Sequence, residues 1–286
     1  MDQTTPVLTQ YSGVCNARRK RSGKINIGVH SKSNSSVKIL ITVLLGLTVY
    51  AFISFDYKEI VLGEAIAATL RNVKTVFLEP KLSTDTFKNV MYQLFLTFCL
   101  GTLSPIFGAI AAFFCSLLCA KNTAPSGVAN AVKCVIALIR AVPTVLWVLI
   151  FAVSAGLGSV AAVIGLTFHS FAYLTKVYAE SIEEIDDGTI EALRASGAGF
   201  WQIVFQAIVP ASLSRMVAWT FMRFEINFTN AIAVGAAAGA GGIGFNLYMA
   251  GSFYFNLHEM GILTYIVVIA VVMLEMFSTK IKERVK

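Results

Sequence analysis

Apolar residues run almost unbroken through 39–55, 90–120, 129–155, 159–178, 211–234 and 260–277. A helix needs about 20 such residues to cross a bilayer core. The pattern therefore predicts six membrane spans, the first short but adequate. The stretch 90–120 carries no charge and is long enough for a tilted crossing. Gly101, Ser104, Pro105 and Gly108 inside it permit a kink and close helix contact. Between the spans, 56–89 mixes charges with apolar residues, and its 66–78 part reads as an interfacial helix. Tight turns are expected at 121–127 and at Gly156-Leu157-Gly158.

One polar interruption has its own periodicity. Within 180–207, Asp186-Asp187-Gly188-Thr189 offers helix-entry chemistry. Glu191 is expected in the first turn, where a carboxylate suits the helix dipole. Ile190, Leu193, Gly197, Phe200, Trp201 and Val204 recur at helical spacing. Gly197, without a side chain, allows a close backbone approach, and Pro210 suits the first turn of a new helix. The segment reads as a short amphipathic helix, a bend and then a span. It either docks into a partner's groove or only connects two spans along the membrane surface.

Composition agrees with a membrane chain. Of 286 residues, 56% are hydrophobic and 14% charged, against about 25% charged in soluble domains. The net charge of +7 does not point to nucleic acid, because basic residues cluster at the two ends, Arg18-Arg19-Lys20-Arg21 and Lys280 to Lys286, as orientation signals do. Six spans place both termini and the 180–207 loop on the cytoplasmic side. The segment 56–89, with five basic and five acidic residues, is the one untidy outer loop. The expected organisation is a basic tail over 1–37 without fixed structure, a first span with an extracytoplasmic segment over 38–89, and a membrane core over 90–286. No cleavable signal is evident before the first apolar run. Of the cysteines, Cys99, Cys115, Cys119 and Cys134 read as apolar packing residues and Cys15 as a tail residue. None has metal-ligand spacing.

The candidate chemistry is sparse. Arg223, Asn227 and Asn230 fall on one face of the fifth span. They either line a polar pathway, where Arg and Asn suit the oxygens of an anion, or tie helices together, for instance Arg223 with Glu275. Glu225 lies about 200° from Arg223 around the helix, so those two do not pair. Arg140 either anchors its helix by snorkelling or faces the pathway. His169 reads as a packing residue, Lys176 as a snorkelling one. The acidic run Glu180, Glu183, Glu184, Asp186 and Asp187 reads as a solvated face that also suits a basic partner. Gly239, Gly241 and Gly244 match a G-x-G-x-x-G pattern with Glu259 twenty residues on, but the surrounding spans exclude a dinucleotide fold. With Gly242 they read instead as a flexible bend, a close-packing or gate segment. The chain contains no Walker, nucleophile-elbow or zinc-hydrolase motif.

Glu191-Ala192, Gly197 five residues later and Pro210 thirteen beyond that resemble the EAA loop of bacterial ABC-importer permeases. Leu193, Ala207 and Val209 depart from its usual Ala, Ile and Leu. Arg140-Ala141-Val142-Pro143, Leu146-Trp147, Gly156-Leu157-Gly158, His169, Lys176, Tyr178 to Glu180, Glu183, Phe224-Glu225, Asn227 and the 239–244 glycine run resemble the phosphonate-importer branch. Thr144 and Thr229 stand where that branch often has an acidic residue and an arginine. The resemblance covers roughly 90–277. It implies an all-α membrane protein, a type I permease core of five helices plus an N-terminal helix, in the bacterial inner membrane. It implies that Glu191, Ala192, Leu193, Gly197 and Pro210 couple to an ATPase. It further implies a permease homodimer, two cytoplasmic ATPase subunits that hold ATP and Mg, and an extracytoplasmic binding protein. The chain itself would bind no cofactor, metal or nucleic acid, and would contact membrane lipid. The expected substrate is a phosphonate. Phosphite, phosphate or an amino acid such as methionine are alternatives, and an ATPase-independent transporter or channel is the alternative of another class.

Overall fold

The computed structural model describes residues 17–19, 25–27, 32–54 and 61–285. The chain divides into two units, 1–65 and 66–286. In the first, β1 (Ala17–Arg19) pairs antiparallel with β2 (Ile25–Ile27), Ala17 opposite Ile27. This six-residue ribbon is the one departure from an all-helical chain among the described residues; Cys15 and most of the 1–37 tail lie outside them. α1 (Lys32–Ser54) is the first span, exposed over 35–54. Its Thr42 and Thr48 hydroxyls donate to the carbonyls of Lys38 and Leu44 at 2.9 and 2.8 Å, so they need no outside partner.

The second unit begins within α2 (Leu62–Leu78) and continues through α3 (Phe87–Cys119), α4 (Ser126–Ala141), α5 (Thr144–Ala155) and α6 (Ser159–Glu183). α7 (Asp187–Ala195) and α8 (Phe200–Ile203) follow, and a π-helical turn (Val204–Ile208) leads into α9 (Val209–Ala238). α10 (Gly242–Tyr248), a second π turn (Met249–Phe253) and α11 (Leu257–Val285) complete it. Among the described residues, five helices are long and apolar enough to cross a membrane, or six if α4 and α5 form one broken span. The last turn of α2 is fastened to α11, where Gly261 meets the Val76 backbone and the Tyr265 hydroxyl donates to the Phe77 carbonyl at 2.7 Å.

The third predicted span is not one rod. α4 and α5 meet at 88° across Val142-Pro143. The pre-proline residue is pushed into extended conformation, and Val142 has φ −85° and ψ 126°. Pro143 lacks the N–H that would serve the carbonyl of Ile139, four residues back. The Trp147 indole N–H takes its place, donating to that carbonyl at 2.9 Å. The break thus leaves the Ile139 carbonyl with a donor.

Long α3, α6 and α9 form the centre. They pack through small residues, as membrane helices do when no water drives them together. A Cβ on Gly101 would lie 2.9 Å from the Phe228 Cα, one on Gly108 2.9 Å from the Ser170 Cβ, and one on Gly165 2.6 Å from the Val148 Cα. Cys119 is buried and Cys99 and Cys115 half-buried, but Cys134 is exposed, so it is not a packing residue within the chain.

Gly165→Ala should therefore lower stability by about 1–3 kcal/mol through overpacking against backbone. Gly46→Ala in α1, with nothing within 4 Å, should be neutral. Thermal unfolding of the detergent-purified variants compares the two directly.

Candidate functional site

At one end of the bundle, α6 and α9 are joined by the predicted amphipathic helix, α7. Asp186 is its N-cap residue, but the side chain makes no cap bond; the Thr189 N–H is taken by the Asp186 carbonyl at 3.1 Å. Because α7 starts at Asp187, Glu191 stands in its second turn, not the first. Ile190 and Val204 are buried and Leu193 half-buried, whereas Gly197, Phe200 and Trp201 of the expected apolar face are exposed. Gly197 has a backbone task within this chain. Its φ is +86°, and no atom lies within 4 Å of a Cβ there. It ends α7 in a Schellman arrangement: the Gly197 N–H donates to the Arg194 carbonyl and the Ala198 N–H to Leu193, each at 3.0 Å.

Pro210 stands in the first turn of α9, as expected, although that helix runs on from the π turn before it. The chain is helical from Phe200 to Ala238, and the π turn just before Pro210 is closed by the Val209 N–H on the Val204 carbonyl. Ala192 and Leu193 share a groove with Gln206, Ala207 and Pro210; Glu191 and Gly197 do not line it.

The acidic run is not a uniformly solvated face. Glu183 accepts from Lys133 at 2.7 Å and from the Lys121 N–H at 2.9 Å. Glu184 pairs with Arg215 at 2.5 Å, and Glu180 with Lys176 at 3.3 Å. Asn122 donates to the Ile182 carbonyl at 2.8 Å and accepts, through its own carbonyl, from Arg194 of α7 at 3.3 Å. The α3–α4 loop is thereby tied to both α6 and α7.

A second cluster lies between α6 and α9. Arg223 is 3% exposed and Asn227 fully buried. Arg223 Nε donates to Ser170 Oγ at 3.1 Å, its Nη2 meets His169 Nδ1 at 2.7 Å, and Asn227 Nδ2 donates to Ser170 Oγ at 2.7 Å. Ser170 in turn donates to the Leu166 carbonyl at 2.6 Å. Glu275 is exposed on α11 and is not the partner. The interhelical alternative describes Arg223 and Asn227 within this chain; Asn230, one turn on, is half-buried. Arg140, also half-buried, belongs to the same neighbourhood. The Tyr173 ring centroid lies 5.8 Å from the Arg140 guanidinium carbon and 5.1 Å from that of Arg223. None of the ion pairs among the described residues uses either arginine. Ser170 and Tyr173 are the residues that sequence reasoning missed; their spacing from His169 on a span was the available signal.

At the opposite end the glycine run closes α9. Gly239, Gly241 and Gly242 have φ of +57°, +78° and +74°, while Gly244 packs on the Ile232 backbone. The bend is tied down rather than loose. Gln93 Oε1 accepts from the Gly242 N–H at 3.0 Å, Thr97 Oγ1 from Ile243 at 2.9 Å, and Ser159 donates to the Ala240 carbonyl at 3.0 Å. Nearby, buried Glu259 accepts from the N–H groups of Thr84 and Asp85 at 3.0 and 2.7 Å, a loop clamp and not a ribose ligand.

A bundle of spanning helices, with a short projecting helix between α6 and α9, is the frame of a multi-pass membrane protein. Residues 106–281 match the family described as the inner membrane component of binding-protein-dependent transport systems, and the chain belongs to that family. It is 36% identical over 152 residues to the phosphate-import permease protein of Mycolicibacterium smegmatis, covering 53% of this chain and 28% of that protein. It is 29% identical over 185 residues to a phosphite transport system permease protein of Stutzerimonas stutzeri, covering 64% and 65%. The chain thus spans less than two thirds of either relative. A methionine ABC transporter solved in an inward-facing conformation shares the fold, with a TM-score of 0.63 at 24% identity over 72% of this chain and 100% of that one. A bacterial alginate ABC transporter does so at 0.60 and 14% identity, over 88% and 98%.

Ser170→Ala leaves two buried donors, Arg223 Nε and Asn227 Nδ2, without their acceptor. It should destabilise the protein by about 1–3 kcal/mol, whereas Ser154→Ala on α5 should not. Chemical denaturation followed by tryptophan fluorescence reads the difference.

Proposed function

We propose that the chain is the transmembrane subunit of an ATP-driven importer for a small phosphorus oxyanion, a phosphonate first. The observation that carries the importer class is α7. It is a short helix capped at Gly197, anchored inward by Ile190, and exposed at Glu191, Ala192 and Arg194 where α6 and α9 meet. A rigid handle of this kind suits the cleft of a cytoplasmic ATPase. Arg194 of α7 holds the α3–α4 loop at Asn122, and Arg215 of α9 holds Glu184 at the end of α6, so the segments around α7 move together. Two copies of the chain enclose the pathway, two ATPases supply ATP and Mg, and an external binding protein delivers the substrate near the glycine bend. Both termini and α7 then face the cytoplasm, in keeping with their basic flanks.

For the substrate, the relatives named for phosphate and phosphite support an oxyanion over methionine, although methionine permeases also match at 25–27% identity. Arg140 and Arg223 support it further. Charges inside a membrane bundle are ordinarily paired with one another, and these two converge on a tyrosine instead of a carboxylate. A passing oxyanion supplies the missing charge at half-buried Arg140, whose guanidinium fork matches its oxygens.

The test is ATP hydrolysis in liposomes containing the chain with the ATPase and binding protein encoded beside it. Methylphosphonate, aminoethylphosphonate, phosphite, phosphate and methionine are compared as stimulants. A phosphonate response supports the reading in full; a response to methionine alone removes the oxyanion. No association with an ATPase favours a channel or secondary transporter. Gly197→Asp and Glu191→Lys should each cut transport at least about tenfold while the complex still assembles, a loss of about 1.4 kcal/mol in coupling. Unchanged transport in both would remove α7 from the mechanism.

A further inference from the structure

A cavity of about 210 Å³ opens between α4 and α6 on the side towards α7, walled by Lys133, Ile136, Arg140, Lys176, Glu180 and Glu183. A water needs about 10–15 Å³ of such space, so a tetrahedral anion fits with part of its hydration. Both carboxylates are already committed, Glu183 to Lys133 at 2.7 Å and Glu180 to Lys176 at 3.3 Å. Three cations against two carboxylates leave one positive charge, and it belongs to Arg140. That guanidinium rests near the Tyr173 ring, 5.8 Å from the centroid. A cation–π contact of this kind is worth about 0.5–2 kcal/mol. A bidentate charge-assisted pair is stronger and uses donors that the ring face leaves idle.

We infer that this cavity is a binding site for a single phosphate-class oxyanion, with Arg140 as the matching charge and Lys133 as a second donor from the same helix. The proposal rests on the oxyanion reading of the pathway. It adds a place where the anion pauses, one step beyond the buried Arg223 cluster and on the way to the α7 end. Arg223 itself is closed in by His169 and Ser170, whereas Arg140 is half-exposed and faces the open cavity. The same chemistry is carried by a phospholipid headgroup, because the cavity lies near the end of two spans where a leaflet's phosphates would stand.

The experiment uses the full chain with its ATPase in nanodiscs. Inorganic phosphate and methylphosphonate are titrated by phosphorus NMR and calorimetry, in phosphatidylcholine alone and with phosphatidylglycerol added. Saturable binding should weaken at least about tenfold in Arg140→Gln and in Lys133→Gln, as expected for loss of a charged hydrogen bond. Arg140→Lys should retain part of it, which covers the case in which Arg140→Gln fails to fold. If the natural occupant is a headgroup, phosphatidylglycerol competes with phosphate, and native mass spectrometry finds a lipid retained by the wild type and lost from Lys133→Gln. Absence of binding by phosphate, methylphosphonate and lipid overturns the proposal, as does binding indifferent to both glutamine variants. Failure of the importer reading shows separately, as no ATPase stimulation while phosphate binding persists.

Discussion

A guanidinium cannot shed its proton at any ordinary pH, so burying one between two membrane helices obliges its neighbours to hold it. Arg223 sets that condition here. Ser170 must stand opposite its Nε, and the same hydroxyl also takes the Asn227 amide. That fixes the register of α6 against α9. α3 then crosses directly behind Ser170, and does so only because Gly108 has no side chain to meet the serine Cβ. Three long helices therefore intersect at one small polar residue. A buried charge is weak evidence for stability but strong evidence that its surroundings are specified, since removing a single partner strands the rest.

The two ends of the bundle solve their backbone problems differently. At the α7 end, most of the hydrogen bonds between segments come from charged side chains. At the glycine bend itself they come from neutral amide and hydroxyl groups reaching across from α3 and α6, and the backbone takes left-handed conformations that glycine supplies at little cost. Polar groups that would otherwise be stranded by a broken helix are recovered one by one, as a low-dielectric setting demands. The Pro143 break follows the same rule, with an indole standing in for a missing amide.

Much of the architecture was legible because a membrane leaves few choices. Apolar runs of span length have to become helices, and five of the six predicted runs did so within a few residues. The exception, 129–155, had a proline written into it. Periodicity cannot say whether a proline kinks a span or splits it; that depended on whether some group could serve the Ile139 carbonyl. α7 was legible through its capping residues, yet the left-handed backbone at Gly197 was not, because a sequence does not distinguish a glycine needed for φ from one needed for space. The polar cluster was only half legible. One helix's stripe, Arg223 to Asn230, follows from spacing, but its partners sit on another helix, and a serine in an apolar span carries no signal of whom it faces. Likewise the acidic run looked solvated because Lys133 and Arg215, which neutralise two of its members, are 50 and 31 residues distant.

The π turn at Val204–Ile208 has an implication of its own. A helical residue advances by about 100°, and a π turn stores one residue beyond the α-helical count. It therefore works as a phase offset within a single rod. Phe200 and Trp201 present the faces they do because that extra residue is there. Winding the same five residues as ordinary α-helix would leave the span beyond Pro210 in place and swing the aromatic side chains before it by about a quarter turn, whereas deleting one position between 204 and 208 would let the turn close as α-helix and leave them where they are. A one-residue deletion at this point would thus be absorbed, while the same deletion elsewhere in the rod would re-aim the surface beside α7 without altering a single residue of it.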